Sequence, residues 1–371
     1  MSPAVLPAPA RVRSFRPGEI WPDSSGQPIN AHGAGFLHHN GVTYWYGEHK
    51  IAGEAGNAAH VGVHVYASTD LLNWRDEGVA LRVAEEPGHE IETGCILERP
   101  KVVFNAATRR FVMWFHLEPK GGGYAGARSG VAVADSPTGP FRYLGSLRPN
   151  AGIWPDNAPA ESRRPLSAWE AARVAALELP GGPVPYYPKD ILYRRDFAGG
   201  QMARDMTLFV DEDGKAYHVY ASEDNGTLHI SLLADDYLRP AGRYVRVFPG
   251  GFNEAPALFK RAGRYFLITS GCTGWAPNQA RVSVATSIWG PWEELGNPCL
   301  GDNWQTATTF DAQSASVLPV PGKEDAFIFV ADRWRPFNAI DGRYVWLPIR
   351  FRHGVPVIEW QPEWDMSAFG C

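Results

Sequence analysis

Five times along this 371-residue chain a short loop ending in Gly, Asp, Lys or Arg runs into a strand of alternating aromatic and aliphatic residues that closes on polar groups. The copies occupy residues 40–48, 109–116, 212–220, 262–269 and 324–330, and the first reads Asn40-Gly41-Val42-Thr43-Tyr44-Trp45-Tyr46-Gly47-Glu48. A second phrase follows four of them, at residues 68–74, 134–141, 233–238 and 285–292. A period of roughly 50 to 70 residues, each holding several short strands and a turn-rich link, is the pattern of a propeller blade. The fold class is therefore all-β, a five-bladed β-propeller. Because a ring of small sheets escapes the usual splitting of long chains, residues 1–371 are expected to form a single domain.

Composition narrows the partners. Hydrophobic residues make up 44% of the chain and charged residues 20%, which suffices for an ordinary core. The excess lies in Trp, Tyr, Gly and Pro; 14 tryptophans favour flat apolar ligands, sugar rings among them. A formal net charge of -5 offers no electrostatic footprint for nucleic acid or an anionic membrane, so neither partner is expected. Cys95, Cys272, Cys299 and Cys371 show no metal-ligand spacing and are too few for a disulfide framework. Residues 1–18 contain no apolar stretch of signal-peptide length, and no window reaches the roughly 18 apolar residues of a membrane span. The sequence as it stands reads as cytoplasmic, or as secreted or periplasmic if a leader has been removed. It leaves the oligomeric state open.

One segment breaks the strand pattern. Between the second and third blades, an excursion around residues 150–204 is much longer than the other links require. Within it Ser167 is a fitting N-cap for a helix over residues 167–179, which stops at Pro180-Gly181-Gly182. The Pro-rich run over residues 183–188 is expected to be an ordered extended loop. The excursion reads equally as a surface decoration and as a lid or pocket wall.

Candidate chemistry concentrates at strand ends, where a side chain can enter an axial cavity while the backbone behind it pairs normally. Glu48 closes the first blade phrase, and Glu98, Asp205 and Glu254 each stand beside an apolar strand entering a blade. One such carboxylate is usually a cap; four in comparable places in different blades point to a site. Glycoside hydrolysis needs a protonated carboxyl to donate to the leaving oxygen and a second polar group to handle water. Neighbouring carboxylates raise the pKa of the member that acts as acid. In the fifth blade either Gln313 or Asp311 takes the corresponding place. His32, beside Gly33 and near Gly35, faces the tunnel or serves as a core histidine with equal merit. No nucleophile elbow, HExxH or paired CxxC is present.

These phrases together resemble glycoside hydrolase family 43, and within it the exo-β-1,3-galactanase (galactan 1,3-β-galactosidase) branch. The resemblance rests on residues 31–35, Tyr44-Trp45-Tyr46-Gly47-Glu48, Glu98-Arg99-Pro100-Lys101-Val102, residues 205–209, Glu254-Ala255-Pro256-Ala257, residues 269–278 and Phe310-Asp311-Ala312-Gln313-Ser314, in that order. It implies a five-bladed propeller, a site at one end of its axis and inversion of anomeric configuration. By this resemblance Glu254 is the general acid, and Glu98 orients substrate and tunes that acid. The wider family places an aspartate base in the first blade, where this chain has Asn30, Ala31 and His32. The branch shares that absence, and Gln313 matches the glutamine thought to handle the water as an imidic acid. Glu48, Tyr124 and Asp205 match residues holding the terminal sugar, with Thr273 and Trp275 beside them. The excursion departs from the branch and enters just before Asp205.

The function expected is an inverting, exo-acting hydrolase releasing terminal galactose from β-1,3-galactan or related galactosides. The same fold with α-L-arabinofuranosidase or β-xylosidase specificity, and a glycan-binding propeller without activity, are the alternatives. The partner is an oligosaccharide or polysaccharide; the mechanism calls for no cofactor and no metal. His218 and His229 could serve a cation in a central channel, but packing within the third blade explains them better.

Overall fold

The computed structural model describes residues 11–54, 56–58, 61–177, 188–338, 340–341 and 343–370. Five antiparallel sheets follow one another along the chain. The first contains β1 (His32–His39), β2 (Val42–His49), β3 (Gly62–Ser68) and β4 (Arg75–Arg82); the second β5 (Ile96–Asn105), β6 (Arg110–Glu118), β7 (Arg128–Ala134) and β8 (Arg142–Leu147). The third runs β9 (Met206–Val210), β10 (Ala216–Ser222), β11 (Thr227–Leu233) and β12 (Pro240–Val247); the fourth β13 (Glu254–Arg261), β14 (Arg264–Ser270), β15 (Arg281–Ala285) and β16 (Glu293–Gly296). The fifth adds β17 (Cys299–Leu300) as an outer parallel strand beside β21 (Val355–Glu359), with β18 (Gln313–Pro319), β19 (Phe327–Arg333) and β20 (Arg343–Arg352) leading inward. The innermost strands β1, β5, β9, β13 and β18 pack against one another around the axis. This is a five-bladed β-propeller.

The recurring sequence phrase is the second strand of each blade, entered through a tight turn. Asn40 and Gly41 have φ of 51° and 79°, and Ala262 and Gly263 of 48° and 72°, the paired left-handed conformations that match the twist of a two-residue hairpin. These strands are buried on both faces; β10 has no exposed residue and β6 has one, at its start. Each blade is sandwiched between two others, so the simple in-and-out alternation of a half-solvated sheet is absent. The second phrase forms the links between the third and fourth strands. In the first of these, Asp70 Oδ1 accepts from the backbone N–H groups of Leu72 and Asn73 at 3.0 and 2.8 Å.

The ring is closed where the two ends of the chain meet. Phe15 and Trp364 exchange backbone hydrogen bonds at 2.7 and 3.1 Å, and their rings stack at 4.1 Å. Tyr344 of β20 donates its hydroxyl to Ile29 O at 3.0 Å and accepts the Ala31 N–H at 2.8 Å. Trp45, Trp74 and Trp346 complete the latch, all almost wholly buried. Cys95, Cys272 and Cys299 are buried free thiols; Cys371 lies outside the described residues.

The excursion contains the expected helix, observed as α1 (Ala168–Ala175), with Ser167 and Glu170 forming a reciprocal capping box. Its expected end at residues 178–179, and residues 183–187 of the Pro-rich run, fall outside the described residues. A short α2 (Leu192–Arg195) follows. The described part packs on the outer edge of the third blade: Asp156 N–H donates to Tyr244 O at 2.8 Å, and Asn157 bonds both backbone groups of Arg246 at 2.7 and 3.0 Å. It covers strand β12, whose free edge would otherwise be open to pairing. No described helix is long and apolar enough to cross a membrane.

Truncating the latch should be costly. Trp346→Ala is expected to lower unfolding stability by about 3–5 kcal/mol, the range for a fully buried aromatic, whereas Trp169→Ala on the exposed face of α1 should change it by under about 0.5 kcal/mol. Urea denaturation of the two variants checks this.

Candidate active site

The site is made by a device repeated at one end of the innermost strands. Register breaks occur between His32 and Gly35, Glu98 and Lys101, Glu254 and Ala257, and Ser314 and Ser316. Within three of these bulges one residue is left-handed: Gly33 at φ 65°, Arg99 at 51° and Ala255 at 53°. A bulge re-aims side chains, and here it turns strand-start residues toward the axis. Glycine is required at the first, since a Cβ on Gly33 would lie 2.3 Å from Glu48 Oε1 and 2.9 Å from Arg99 N.

The resulting cavity, about 190 Å³, is lined by Glu48, Asn57, Glu98, Arg99, Tyr124, Arg204, Asp205, Glu254, Gly274, Trp275, Gln313 and Trp334. It is smaller than the ~300–1,000 Å³ of drug-sized sites and suits a single sugar ring. Arg99 is its hub. The guanidinium contacts Asp205 Oδ2 at 2.9 Å and donates to Gln313 Oε1 at 2.7 Å and Ser314 O at 3.0 Å, while the Arg99 backbone N–H donates to Glu48 Oε1 at 2.9 Å. Glu48 Oε2 lies 3.2 Å from Lys50 Nζ. Glu98 accepts from Asn57 at 2.7 Å and pairs with His116 Nδ1 at 2.9 Å. The other His116 nitrogen is 3.2 Å from Glu118, which is also 3.3 Å from Arg204. The Arg204 guanidinium in turn covers the Tyr124 ring at 3.5 Å.

Two carboxylates in this one cavity are driven apart. Burial first, and then the neighbouring Asp205 charge, push Glu254 up to about 8, so it holds a proton at neutral pH. Asn225 Nδ2 donates to its Oε1 at 2.7 Å and fixes the carboxyl plane. Glu98 is held well below the ordinary carboxylate range: burial opposes its ionisation, but the hydrogen bond and charge of His116 outweigh it. His116, although burial works against its charge, is pushed up to about 9 by Glu118 and Glu98. One protonated acid beside one fixed anion is the division of labour that acid-catalysed glycoside cleavage demands.

The family model "Glycosyl hydrolases family 43" matches residues 184–356. The fold and sequence are similar to those of a family 43 β-1,3-galactosidase solved with galactodeoxynojirimycin, at 50% identity, a TM-score of 0.87, and coverage of 95% of this chain and 100% of that one. They are also similar to an exo-β-1,3-galactanase from Phanerochaete chrysosporium solved with β-1,3-galactotriose, at 31% identity and a TM-score of 0.75, over 95% of this chain and 68% of that one. The chain belongs to glycoside hydrolase family 43. It is a glycosidase. Among curated proteins it matches a β-D-galactofuranosidase, xynD, of Aspergillus niger, 27% identical over 146 residues, and this match spans 39% of the chain and 41% of that relative.

Among the residues singled out from the sequence of this family 43 enzyme, Glu254, Gln313, Glu98, Glu48, Tyr124, Asp205 and Trp275 all line the one cavity. His32 does not. It is 3% exposed, its ring packs on Trp334 at 4.5 Å and Tyr344 at 5.5 Å, and burial lowers its pKa to about 3, so it acts as a neutral core residue behind the cavity wall. Thr273 is exposed outside the lining and braces its own loop, donating to Ala276 O and accepting from Asn278 at 2.7 Å. Asp311, the alternative to Gln313, is likewise outside this cavity. His218 stacks on Tyr220 and packs at a tilt against Trp114, and His229 pairs with Glu223 at 2.8 Å, so both are blade-interior groups.

Arg99, Arg204, Asn57, His116 and Trp334 were not anticipated. Arg99 and Arg204 adjoin Glu98 and Asp205 in sequence, a signal that was available; Asn57 and Trp334 sit in loops without pattern. Apart from Arg204, no described residue of the excursion lines the cavity, which favours its role as a cover for the third blade. Possible ligand atoms of Glu98, His116 and Asp205 come within 4.8 Å of one another. His116 faces a carboxylate on each side, Glu98 at 2.9 Å and Glu118 at 3.2 Å.

Because the Asp205 charge helps hold the proton on Glu254, Asp205→Asn should lower the Glu254 pKa. The basic limb of kcat/KM, expected near pH 8 in the parent, should move to lower pH. A pH–rate profile of the two proteins reads this directly.

Proposed function

We propose that this enzyme is an inverting, exo-acting galactosidase that removes terminal galactose from β-1,3-linked galactan or related galactosides. The observation that carries the reading is the pairing of a protonated Glu254 with an ionised Glu98 in a cavity sized for one sugar ring. A pocket of one ring favours attack at a chain end. In support, the relatives solved with galactodeoxynojirimycin and β-1,3-galactotriose are a β-1,3-galactosidase and an exo-β-1,3-galactanase.

In this reading Glu254 gives its proton to the glycosidic oxygen as the C1–O bond breaks. Water attacks C1 from the opposite face, near Gln313. Glu98, kept anionic by His116, orients a sugar hydroxyl and stabilises the charge that develops on the ring. Glu48, Asp205 and Tyr124 hold the remaining hydroxyls, and the exposed Trp275 offers an apolar face to the ring or to the next unit.

Incubation with β-1,3-galactobiose and longer β-1,3-galactan, with products followed over time, tests this. The parent should release galactose one unit at a time. Glu254→Gln should lower kcat by at least about 10²–10⁴, the usual contribution of a general acid, while melting as the parent does. Arabinosides or xylosides cleaved in place of galactosides would transfer the reaction to another sugar.

A further inference from the structure

The proposed reaction requires a proton acceptor for the attacking water, and the amide of Gln313 is poorly placed to be one. Its Oε1 accepts from Arg99, a group that can only donate, and its Nε2 donates to Ser270 Oγ at 2.9 Å. Both contacts fit the amide form. The protonated oxygen of an imidic acid would be a weaker acceptor for the guanidinium.

Beside Gln313 lies a second, small chamber of about 30 Å³, whose lining includes Gln313, Asp332, Asp311, Trp334, Trp275 and Asn278; the Asp311 carboxylate is partly exposed and lies 3.5 Å from Arg333. The chamber has room for about one water, which needs at least ~10–15 Å³. It shares Gln313, Trp275, Trp334 and Gly274 with the sugar cavity, so the two adjoin. Asp332 stands directly opposite Gln313 in the β18–β19 ladder, which places both side chains on the same face. Its Oδ2 accepts the Gly33 N–H at 2.8 Å. Its Oδ1 has no hydrogen-bond partner among the described residues, although Asp332 is wholly buried. A buried carboxylate oxygen without a donor is costly unless something occupies the space before it.

We propose that Asp332 is the general base of this enzyme, acting through one water in the chamber it shares with Gln313. This rests on the galactosidase reading and completes its proton balance. The attacking water forms its bond to C1 and passes a proton to the chamber water, which passes one to Asp332 Oδ1. The C1–O bond to the leaving sugar breaks as Glu254 delivers its proton to that oxygen. Gln313 remains an amide and holds the attacking water in line. Exchange with solvent then returns a proton to Glu254 and removes one from Asp332.

The surroundings agree with this role. Burial pushes the Asp332 carboxyl up to about 7, against the Gly33 N–H and the Arg99 and Lys101 charges, with Glu48 adding to the rise. The Tyr344 phenol lies across the ladder on the other side. A base must be ionised, so activity should be lost as pH falls through about 7.

The test begins with the parent on β-1,3-galactobiose. If it hydrolyses no galactoside, the galactosidase reading itself fails, a result read before any variant is made. Given turnover, Asp332→Asn keeps the shape of the side chain and an acceptor for Gly33. It should lower kcat by about 10²–10⁴ with little change in KM, abolish the acidic limb of the pH profile, and still bind galactodeoxynojirimycin. Added azide, which needs no base, should restore turnover and yield α-galactosyl azide. Near-parental kcat with the acidic limb intact would overturn the proposal. So would inactivity that azide does not relieve, or azide rescue seen in Gln313→Ala and not in Asp332→Asn.

Discussion

Arg99 is the group on which the site end of the propeller depends. It sits at a left-handed bulge of the second blade, 4% exposed, and reaches Asp205 before the third blade, Gln313 and Ser314 of the fifth, and Glu48 of the first. Asp205 extends the web to the fourth blade by accepting the Ala255 N–H at 3.1 Å. Sheets that otherwise meet through apolar packing are thus tied together around one residue, whose planar guanidinium holds several acceptors at once while its backbone N–H holds Glu48. A buried charge of this kind is tolerable only when surrounded by fixed partners, and three of those partners, Glu48, Asp205 and Gln313, are also walls of the sugar cavity.

The electrostatic character of the site follows from that arrangement. Glu48, Glu98, Glu118, Asp205, Glu254 and Asp332 crowd one axial end, facing Lys50, Arg99, Lys101, Arg204 and His116. Not all can ionise in a region shielded from water. Glu98, with His116 at hydrogen-bond distance, remains anionic; Glu254 and Asp332, more strongly governed by burial, retain protons toward neutral pH, and burial raises Glu48 as well despite Lys50. Acid and anion arise from the same residue type because their nearest neighbours differ.

Much of this was legible in the sequence. Five repeats of one strand phrase reported five sheets, because the second strand of each blade is entered through a tight turn and buried on both faces. The positions Glu48, Glu98, Asp205, Glu254 and Gln313 could be read from their places at strand ends. The roles of Tyr124 and Trp275 came only from resemblance, since loop aromatics carry no period. His32 misled because a glycine beside it signalled close approach; the structure shows that Gly33 makes room for Glu48 and the Arg99 backbone, and the imidazole turns into the core. Asp332 was invisible, being one polar residue at the end of the apolar run Phe327-Ile328-Phe329-Val330-Ala331, placed by a cross-strand neighbour that sequence alone does not reveal. The excursion showed its helix through Ser167 and Glu170, but its docking on the edge of the third blade depends on backbone pairing with residues almost ninety positions away.

The central claim is that Glu254 protonates a glycosidic oxygen while water arrives from the opposite face. Proton NMR of the first sugar released from β-1,3-galactan, recorded faster than mutarotation, tests it most directly. The account predicts α-galactose as the initial product, relaxing afterwards to the anomeric mixture. An initial burst of β-galactose would mean retention through a covalent intermediate, and would contradict it.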